Sequence, residues 1–158
     1  AEKQFEYVLP PEIEKNPEAK EIFLDAMKRD QEQYDKLAEI LKKQAYDEFI
    51  ASGMDEKAAA KAAEKKAIED ARFVLPNACC TKMICTFNAR SLKNFFAHRC
   101  CNRAQWEIRS LAEQMLMQCL EVAPELFKHC GPPCLFGKCP EDKMSGGKMQ
   151  KKKKKYGR

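Results

Sequence analysis

The side chains best suited to chemistry lie in residues 88–108, which hold three arginines, several amides and the only tryptophan. Arg90 and Asn94 are four residues apart, so a helix would place them on one face. There a guanidinium and a carboxamide can together grip an anion or a heterocycle, and Arg99 follows just over one turn after Asn94. The competing interpretation is an ordinary solvated helix face above an apolar core. That core would contain Leu92, Phe95 and Phe96.

The elements that must position these side chains can be predicted from caps and periodicity. Asn16 followed by proline predicts the start of a long helix that Gly53 ends. Asp55 predicts the cap of a second, alanine-rich helix that runs to about Phe73. Residues 81–87 favour a strand that delivers Asn88 to a helix start. Two more helices are expected over residues 90–98 and 104–122. The second should bury an apolar stripe: Ile108, Leu111, Met115, Cys119 and Val122.

Composition limits the class of protein. The chain has 158 residues, a hydrophobic content of 44% and a net charge of +5, which suits one domain with a modest core. The positive excess is concentrated in Lys148 and residues 151–155, so the remainder gives no general prediction of nucleic-acid binding. No apolar run approaches the ~20 residues of a membrane span. We therefore expect a cytoplasmic protein with no membrane contact.

Nine cysteines are an odd number, and two pairs are adjacent in sequence, Cys79 with Cys80 and Cys100 with Cys101. Adjacent cysteines form a disulfide only with strain, so a secreted disulfide scaffold is not expected. Reduced thiols in the cytoplasm fit this pattern better. Cys100 and Cys101 are therefore interpreted as buried free thiols rather than as nucleophiles.

Two motifs resemble those of the flavin-dependent thymidylate synthases. The longer motif is N-A-R-S-L-x-N-F, an arginine five residues on, and then A-Q-W-E-I; in this chain it corresponds to residues 88–108. The shorter motif, E-x-A-R-x-x-L-P, is similar to residues 69–76. The spacing of sixteen residues from Arg72 to Asn88 also resembles that of the family. Residues 5–10 look similar to a strand of the family, so the resemblance covers about residues 4–128.

The resemblance implies both a fold and a reaction. The fold is α+β, with a long helical hairpin packed beside a small sheet. The reaction is methylation of deoxyuridine monophosphate (dUMP) to thymidine monophosphate (dTMP), with methylenetetrahydrofolate as one-carbon donor, FAD as cofactor and NADPH as reductant. Arg99 would bind dUMP and activate its uracil electrostatically, and Arg72 would be a second dUMP contact. The implied flavin contacts are Asn88, Ala89, Arg90 and Asn94.

The signature motif of the family, R-H-R followed by a short stretch with Ser, Glu, Ser and Arg, is not found in residues 1–158. In the family it precedes the strand that residues 5–10 resemble. We therefore expect residues 1–139 to be the C-terminal portion of a thymidylate synthase domain and residues 140–158 to be a disordered basic tail. The expected partners are copies of the chain in a homotetramer, or a complementing N-terminal portion. Alone, the chain should bind flavin weakly and turn over little.

A second function uses different residues. His129, Cys130, Cys134 and Cys139 are potential zinc ligands in a glycine- and proline-rich loop. With the lysine run at residues 151–155, they would make a non-catalytic module that binds zinc and nucleic acid. The ligand spacing is not that of a standard zinc knuckle, and no aromatic residue is interleaved among the lysines. The enzyme interpretation therefore takes precedence, with no metal site and no specific nucleic acid predicted.

Overall fold

A computed structural model describes residues 4–156, and its regular structure is almost entirely helical. The α-helices are α1 (Pro11–Glu14), α2 (Pro17–Ala51), α3 (Glu56–Ala71), α4 (Ala89–Arg99), α5 (Trp106–Val122), α6 (Pro124–Phe127) and α7 (Met149–Lys155). Short 3-10 turns occupy Arg72–Val74, Pro133–Leu135 and Asp142–Met144. The chain divides into two compact units, one ending at Met83 and the other beginning at Ile84.

The first unit is built on the helical hairpin of α2 and α3, and the predicted caps are confirmed. The Asn16 side chain accepts hydrogen bonds from the backbone N–H groups of Glu18 and Ala19, and Asp55 accepts one from Ala58. These bonds satisfy N–H groups that have no partner within the helix. The face of α3 that packs on α2 is a stripe of buried alanines at four-residue steps: Ala59, Ala63, Ala67 and Ala71. Small side chains allow the two helix backbones to approach closely.

The predicted small sheet is absent from the described part of the chain, so the α+β assignment is wrong. Residues 81–87, predicted as a strand, are exposed and have no regular structure. Extended pairing within residues 4–156 is limited to one antiparallel bridge between Tyr7 and Cys79, flanked by a hydrogen bond of 2.7 Å from Cys80 N to the carbonyl of Glu6. A β-favouring sequence becomes a strand only where a partner strand completes its hydrogen bonds, and residues 81–87 have none here.

The second unit packs α4, α5 and α6 around a small core. Phe96 of α4 and Leu116 of α5 are fully buried, and Phe127 of α6 joins them. The buried part of the stripe predicted for α5 was misplaced, because Ala112 and Leu116 face the core while Leu111 and Val122 are exposed. The helical spacing was predicted correctly. The buried face is centred on Ala112 and Leu116, each one residue after a position that was predicted to be buried.

The segment predicted as a disordered tail contains regular structure. Asp142–Met144 forms a 3-10 turn and Met149–Lys155 forms α7, whose residue Lys152 is buried. The ring of Tyr156 packs against the core of the second unit. Disorder of residues 140–158 in solution stays a prediction, and residues 157–158 lie outside the described residues.

Candidate active site

Helix α4 carries most of the predicted site residues, and its first turn is fixed by Asn88. The Asn88 side-chain oxygen accepts a hydrogen bond of 2.9 Å from the backbone N–H of Ser91, so Asn88 is the N-cap of α4. Its carboxamide nitrogen can still donate to a ligand. The predicted helix start is therefore confirmed, although no strand leads into it.

Arg90 and Asn94 lie one turn apart on α4 and both are exposed. Ala89 is partly buried and packs against the core. Because of this contact, the side of the first helical turn that carries Arg90 faces solvent. Together with the Asn88 amide, these side chains place several hydrogen-bond donors at the N-terminal end of α4. That end also carries the partial positive charge of the helix dipole. The arrangement suits an anionic or hydrogen-bond-accepting ligand.

Arg99 is the last residue of α4 and points to a different region. Nine residues separate it from Arg90, which is two and a half helical turns, or roughly 13 Å along the axis. The half turn means that the side chains of Arg90 and Arg99 leave the helix on opposite sides. A single α4 therefore brings Asn88, Arg90 and Asn94 together but keeps Arg99 apart from them.

Arg99 lines a cavity of about 300 Å³ in the second unit. The wall opposite the helix comes from the C-terminal segment and includes Pro132, Cys134 and Glu141. Arg103 also lines the cavity and forms an ion pair with Glu141, so its charge is already balanced. Arg99 is thus the cationic side chain of this cavity that remains available to an anionic group.

The side chains of the three predicted ligand-binding arginines, Arg72, Arg90 and Arg99, make no hydrogen bond or ion pair with another described residue. All three are exposed. Pairing with Glu69 or Glu107, the ordinary structural role for such arginines, is not observed. By contrast, Arg29 pairs with Asp25, and Arg103 pairs with Glu141. Within residues 4–156, the charges of these three guanidinium groups are therefore not balanced by a carboxylate.

Arg72 belongs to the first unit, where it begins the 3-10 turn that follows α3. Its carbonyl accepts a hydrogen bond of 3.1 Å from the backbone N–H of Leu75. This turn ends the second helix close to the predicted position. It also holds the Arg72 side chain in solvent at the end of the hairpin.

The chemistry of the thiols agrees with a structural role for Cys100. It is fully buried, and this burial raises the pKa of its thiol to about 11. A thiol with such a pKa is protonated near neutral pH and is a poor nucleophile. Burial also raises the pKa of Cys134, and the nearby Cys101 and Cys139 add to the effect.

The predicted zinc ligands do not form a metal site. Among residues 4–156, no three or more His, Cys, Asp or Glu side chains are grouped so as to hold a metal ion. The His129 ring instead packs edge-on against Phe136, with centroids 6.1 Å apart. The zinc-binding alternative gains no support from this arrangement.

Sequence reasoning missed residues that shape the cavity from a distance. Arg109 donates hydrogen bonds to the carbonyls of Asn102 and Ala104, at 2.9 and 3.1 Å, and so fixes the connection between α4 and α5. Glu113 binds Lys152 of α7. The sequence offered one signal for Arg109, which is its position directly after the A-Q-W-E-I part of the longer motif. Nothing in the lysine run distinguished Lys152 from its neighbours.

Comparison with known proteins gives the family of this chain. The sequence profile of the family described as "Thymidylate synthase complementing protein" matches residues 1–125. The flavin-dependent thymidylate synthase of Clostridium tetani is 54% identical over 153 residues, which cover 97% of this chain and 58% of that protein. Those of Nitratidesulfovibrio vulgaris and Geobacter sulfurreducens are 42% identical over 138 residues and 58% identical over 86 residues. These matches cover 87% and 54% of this chain, and 50% and 37% of the respective relatives.

The described part of the chain is thus a helical scaffold, and the side chains of Arg72, Arg90 and Arg99 are exposed on it. The chain belongs to the thymidylate synthase complementing protein family, and the resemblance found in its motifs is confirmed. It spans about half the length of the curated relatives that it matches. No helix in the described part of the chain is both long and apolar enough to cross a membrane.

Proposed function

We propose that the protein to which this chain belongs is a flavin-dependent thymidylate synthase that methylates dUMP to dTMP. The observation that carries the proposal is Arg99, an unpaired guanidinium at the end of α4 that lines a cavity of about 300 Å³. It occupies the arginine position of the longer family motif. The family match and the names of the relatives support the same activity.

Arg99 provides electrostatic activation of the uracil ring. Loss of the ring N–H proton gives a uracil anion whose negative charge lies on the ring nitrogen and the carbonyl oxygens and makes carbon five a better nucleophile. A guanidinium held beside these atoms stabilises that anion and so favours the attack of carbon five on an electrophile. Arg99 is suited to this task because its charge is not already balanced by a carboxylate of the described chain.

Arg72 binds dUMP through its guanidinium, whose planar fork gives two parallel hydrogen bonds to a phosphate. Its exposure and lack of internal partners support this role. Lysine at this position would keep the charge but lose the paired geometry.

Asn88, Ala89, Arg90 and Asn94 hold FAD at the N-terminal end of α4. The residues fit this group, because a diphosphate needs cationic and N–H donors, and this end of the helix supplies an unpaired guanidinium, amides and the positive end of the dipole. When bound and reduced, the flavin supplies the hydride that completes the methyl group. NADPH as reductant and methylenetetrahydrofolate as one-carbon donor complete the proposed reaction, in the cytoplasm.

The divergence of Arg90 and Arg99 supports a site shared between copies of the chain. Because the side chains of Arg90 and Arg99 leave α4 on opposite sides, one helix cannot direct both at the same small ring system. A homotetramer, in which α4 of one subunit supplies flavin contacts and another supplies Arg99, resolves this conflict. The chain spans about half of its relatives, so further contacts would come from sequence outside these 158 residues.

The test uses protein expressed from its complete reading frame, with visible absorbance near the flavin bands recorded with and without dUMP, and with dTMP formation measured. Arg99→Lys should lower kcat about 100-fold, because one planar donor is lost from the transition state, while flavin content stays near that of the unmodified protein. Arg29→Lys is the matched control, since Arg29 is exposed but ion-paired with Asp25 at 3.0 Å. Equal loss of flavin and turnover in Arg99→Lys would mean that Arg99 is structural.

A further inference from the structure

Lys152 is the one charged residue that is buried in the described part of the chain, with 7% of its surface exposed. Its neighbours in the lysine run, Lys151, Lys154 and Lys155, are exposed. Removing an ammonium group from water is unfavourable unless specific partners replace the solvent. The burial of this particular lysine therefore calls for partners that compensate it.

The partners of Lys152 lie at the end of α4 and on α5. Its Nζ donates a hydrogen bond of 2.8 Å to the carbonyl oxygen of Cys100, and it forms an ion pair with one carboxylate oxygen of Glu113. Lys155 binds the other carboxylate oxygen. Cys100 is the C-cap of α4 and directly follows Arg99. Its carbonyl is one of the groups that a helix end leaves without an intrahelical donor.

We propose that Lys152 is a positioning residue for Arg99, an inference that rests on the proposed function. By binding the Cys100 carbonyl, the ammonium fixes the last turn of α4 and hence the backbone from which the Arg99 side chain extends. A cation also interacts favourably with the negative end of the helix dipole at this point. Glu113 in turn holds the ammonium in place.

Lys152 also connects Arg99 to the opposite wall of its cavity. Helix α7 packs on the turn Pro133–Leu135, and both Pro133 and Cys134 line the cavity that Arg99 borders. Lys152 thus binds the end of α4 that carries Arg99, and its own helix packs on the segment that forms the opposite wall of the cavity. These C-terminal residues lie beyond residue 125, where the match to the family profile ends.

If the lysine run served only to bind phosphate backbones, all of its ammonium groups would be exposed to a similar degree. Lys152 differs, because it faces inward and is bound to Glu113 and Cys100. Lys151 belongs to the same run, but its side chain is exposed and makes no hydrogen bond or ion pair with another described residue. Lys151→Met is therefore a matched control for Lys152→Met, since both remove one cation from the same helix.

The experiment uses protein from the complete reading frame and measures kcat, KM for dUMP, flavin content and thermal stability for both variants. Lys152→Met should lower kcat about tenfold or more, because a small displacement of a group that acts in the transition state is costly. Flavin content should stay within about twofold, because the proposed flavin contacts lie at the other end of α4. The fall in kcat should exceed any rise in KM for dUMP, because the proposed activation by Arg99 acts on the reacting ring. Lys151→Met should match the unmodified protein.

The pH dependence separates positioning from a general structural defect. If Arg99 is displaced, the uracil ring loses help in forming its anion, so the loss of rate in Lys152→Met should shrink as the pH rises. The proposal would be overturned if kcat, flavin content and stability of Lys152→Met all fell together and the ratio of its kcat to that of the unmodified protein were the same at every pH. A kcat equal to that of Lys151→Met would overturn it as well.

Glu113→Gln serves as the second variant if Lys152→Met does not fold. The amide keeps the size of the side chain but removes the charge that holds the ammonium, so a smaller loss of kcat with the same pH dependence is expected. An unchanged kcat in Glu113→Gln would count against positioning. If the unmodified protein itself forms no dTMP, the proposed function fails, and this result is distinct from every outcome that depends on a variant.

Discussion

Phe96→Ala should destabilise the second unit strongly, because Phe96 is the largest side chain with no solvent exposure. It lies on α4, three residues before Arg99, and holds this helix against α5 and α6. Its ring packs edge-on against Phe95 and Phe127, with centroids 6.0 and 6.1 Å away. A cavity here would affect the whole helix that carries the candidate site.

The size of the effect follows from burial. Transferring a fully buried phenylalanine side chain accounts for about 1.5–3 kcal/mol. The cavity that alanine leaves brings the total to about 3–5 kcal/mol, because the surrounding helices relax only in part. Phe73→Ala is the control, since Phe73 is 84% exposed; it should change stability by about 0.5 kcal/mol or less.

The assay is urea unfolding followed by circular dichroism, on protein from the complete reading frame. The free energy of unfolding should fall in the order Phe73→Ala, Phe95→Ala, Phe96→Ala, with the half-buried Phe95 between the other two. If Phe96→Ala cost no more than Phe73→Ala, α4 would not pack as described. The reasoning that ties Arg99 to the core through this helix would then be refuted.

Three further predictions concern ionisation and completeness. Although burial opposes ionisation of Glu113, its bonds to Lys152 and Lys155 lower its pKa below the ordinary 4.5; this stabilisation is present above pH 4.5 and is lost as the pH falls through the lowered value. The stability difference between unmodified protein and Glu113→Gln, measured by urea unfolding at several pH values, should therefore vanish in acid. With a pKa of about 11, Cys100 has about one thiolate per thousand molecules at pH 8, so iodoacetamide should modify exposed Cys85 first, as read by peptide mass spectrometry; faster labelling of Cys100 would contradict its burial. The isolated 158-residue chain should bind flavin weakly and form little dTMP, and adding the N-terminal half of a relative should restore both; robust turnover by the chain alone would contradict the proposal that further contacts come from sequence outside these 158 residues.

Local signals predicted the helices well. Asn16, Asp55 and Asn88 each accept hydrogen bonds from N–H groups two or three residues later, so the cap and its partners lie in one short stretch of sequence. Helix starts depend on such nearby contacts and can be predicted without the rest of the chain. The four-residue spacing of Arg90 and Asn94 likewise predicted that they would share one face of a helix.

The strand prediction failed for the opposite reason. Residues 81–87 have a β-favouring composition, but a strand requires a partner, and no local feature shows whether one is present. The buried face of α5 was misplaced for a related reason. Ala112 is small and carries little hydrophobic weight in a sequence pattern, yet close packing of α4 selects it for the core over Leu111.

The two ends of α4 show this contrast within a single helix. Its N-terminal end is fixed by Asn88, three residues from the N–H that it binds, so the motif itself specifies the end that carries the proposed flavin contacts. Its C-terminal end is fixed by Lys152, which lies 52 residues from Cys100 and 39 residues from Glu113 in the sequence. Contacts at such separations leave no pattern that distinguishes one lysine in a run of five. The C-terminal segment, beyond the reach of the family profile, is therefore where sequence changes can alter the setting of Arg99 while leaving the motif residues unchanged.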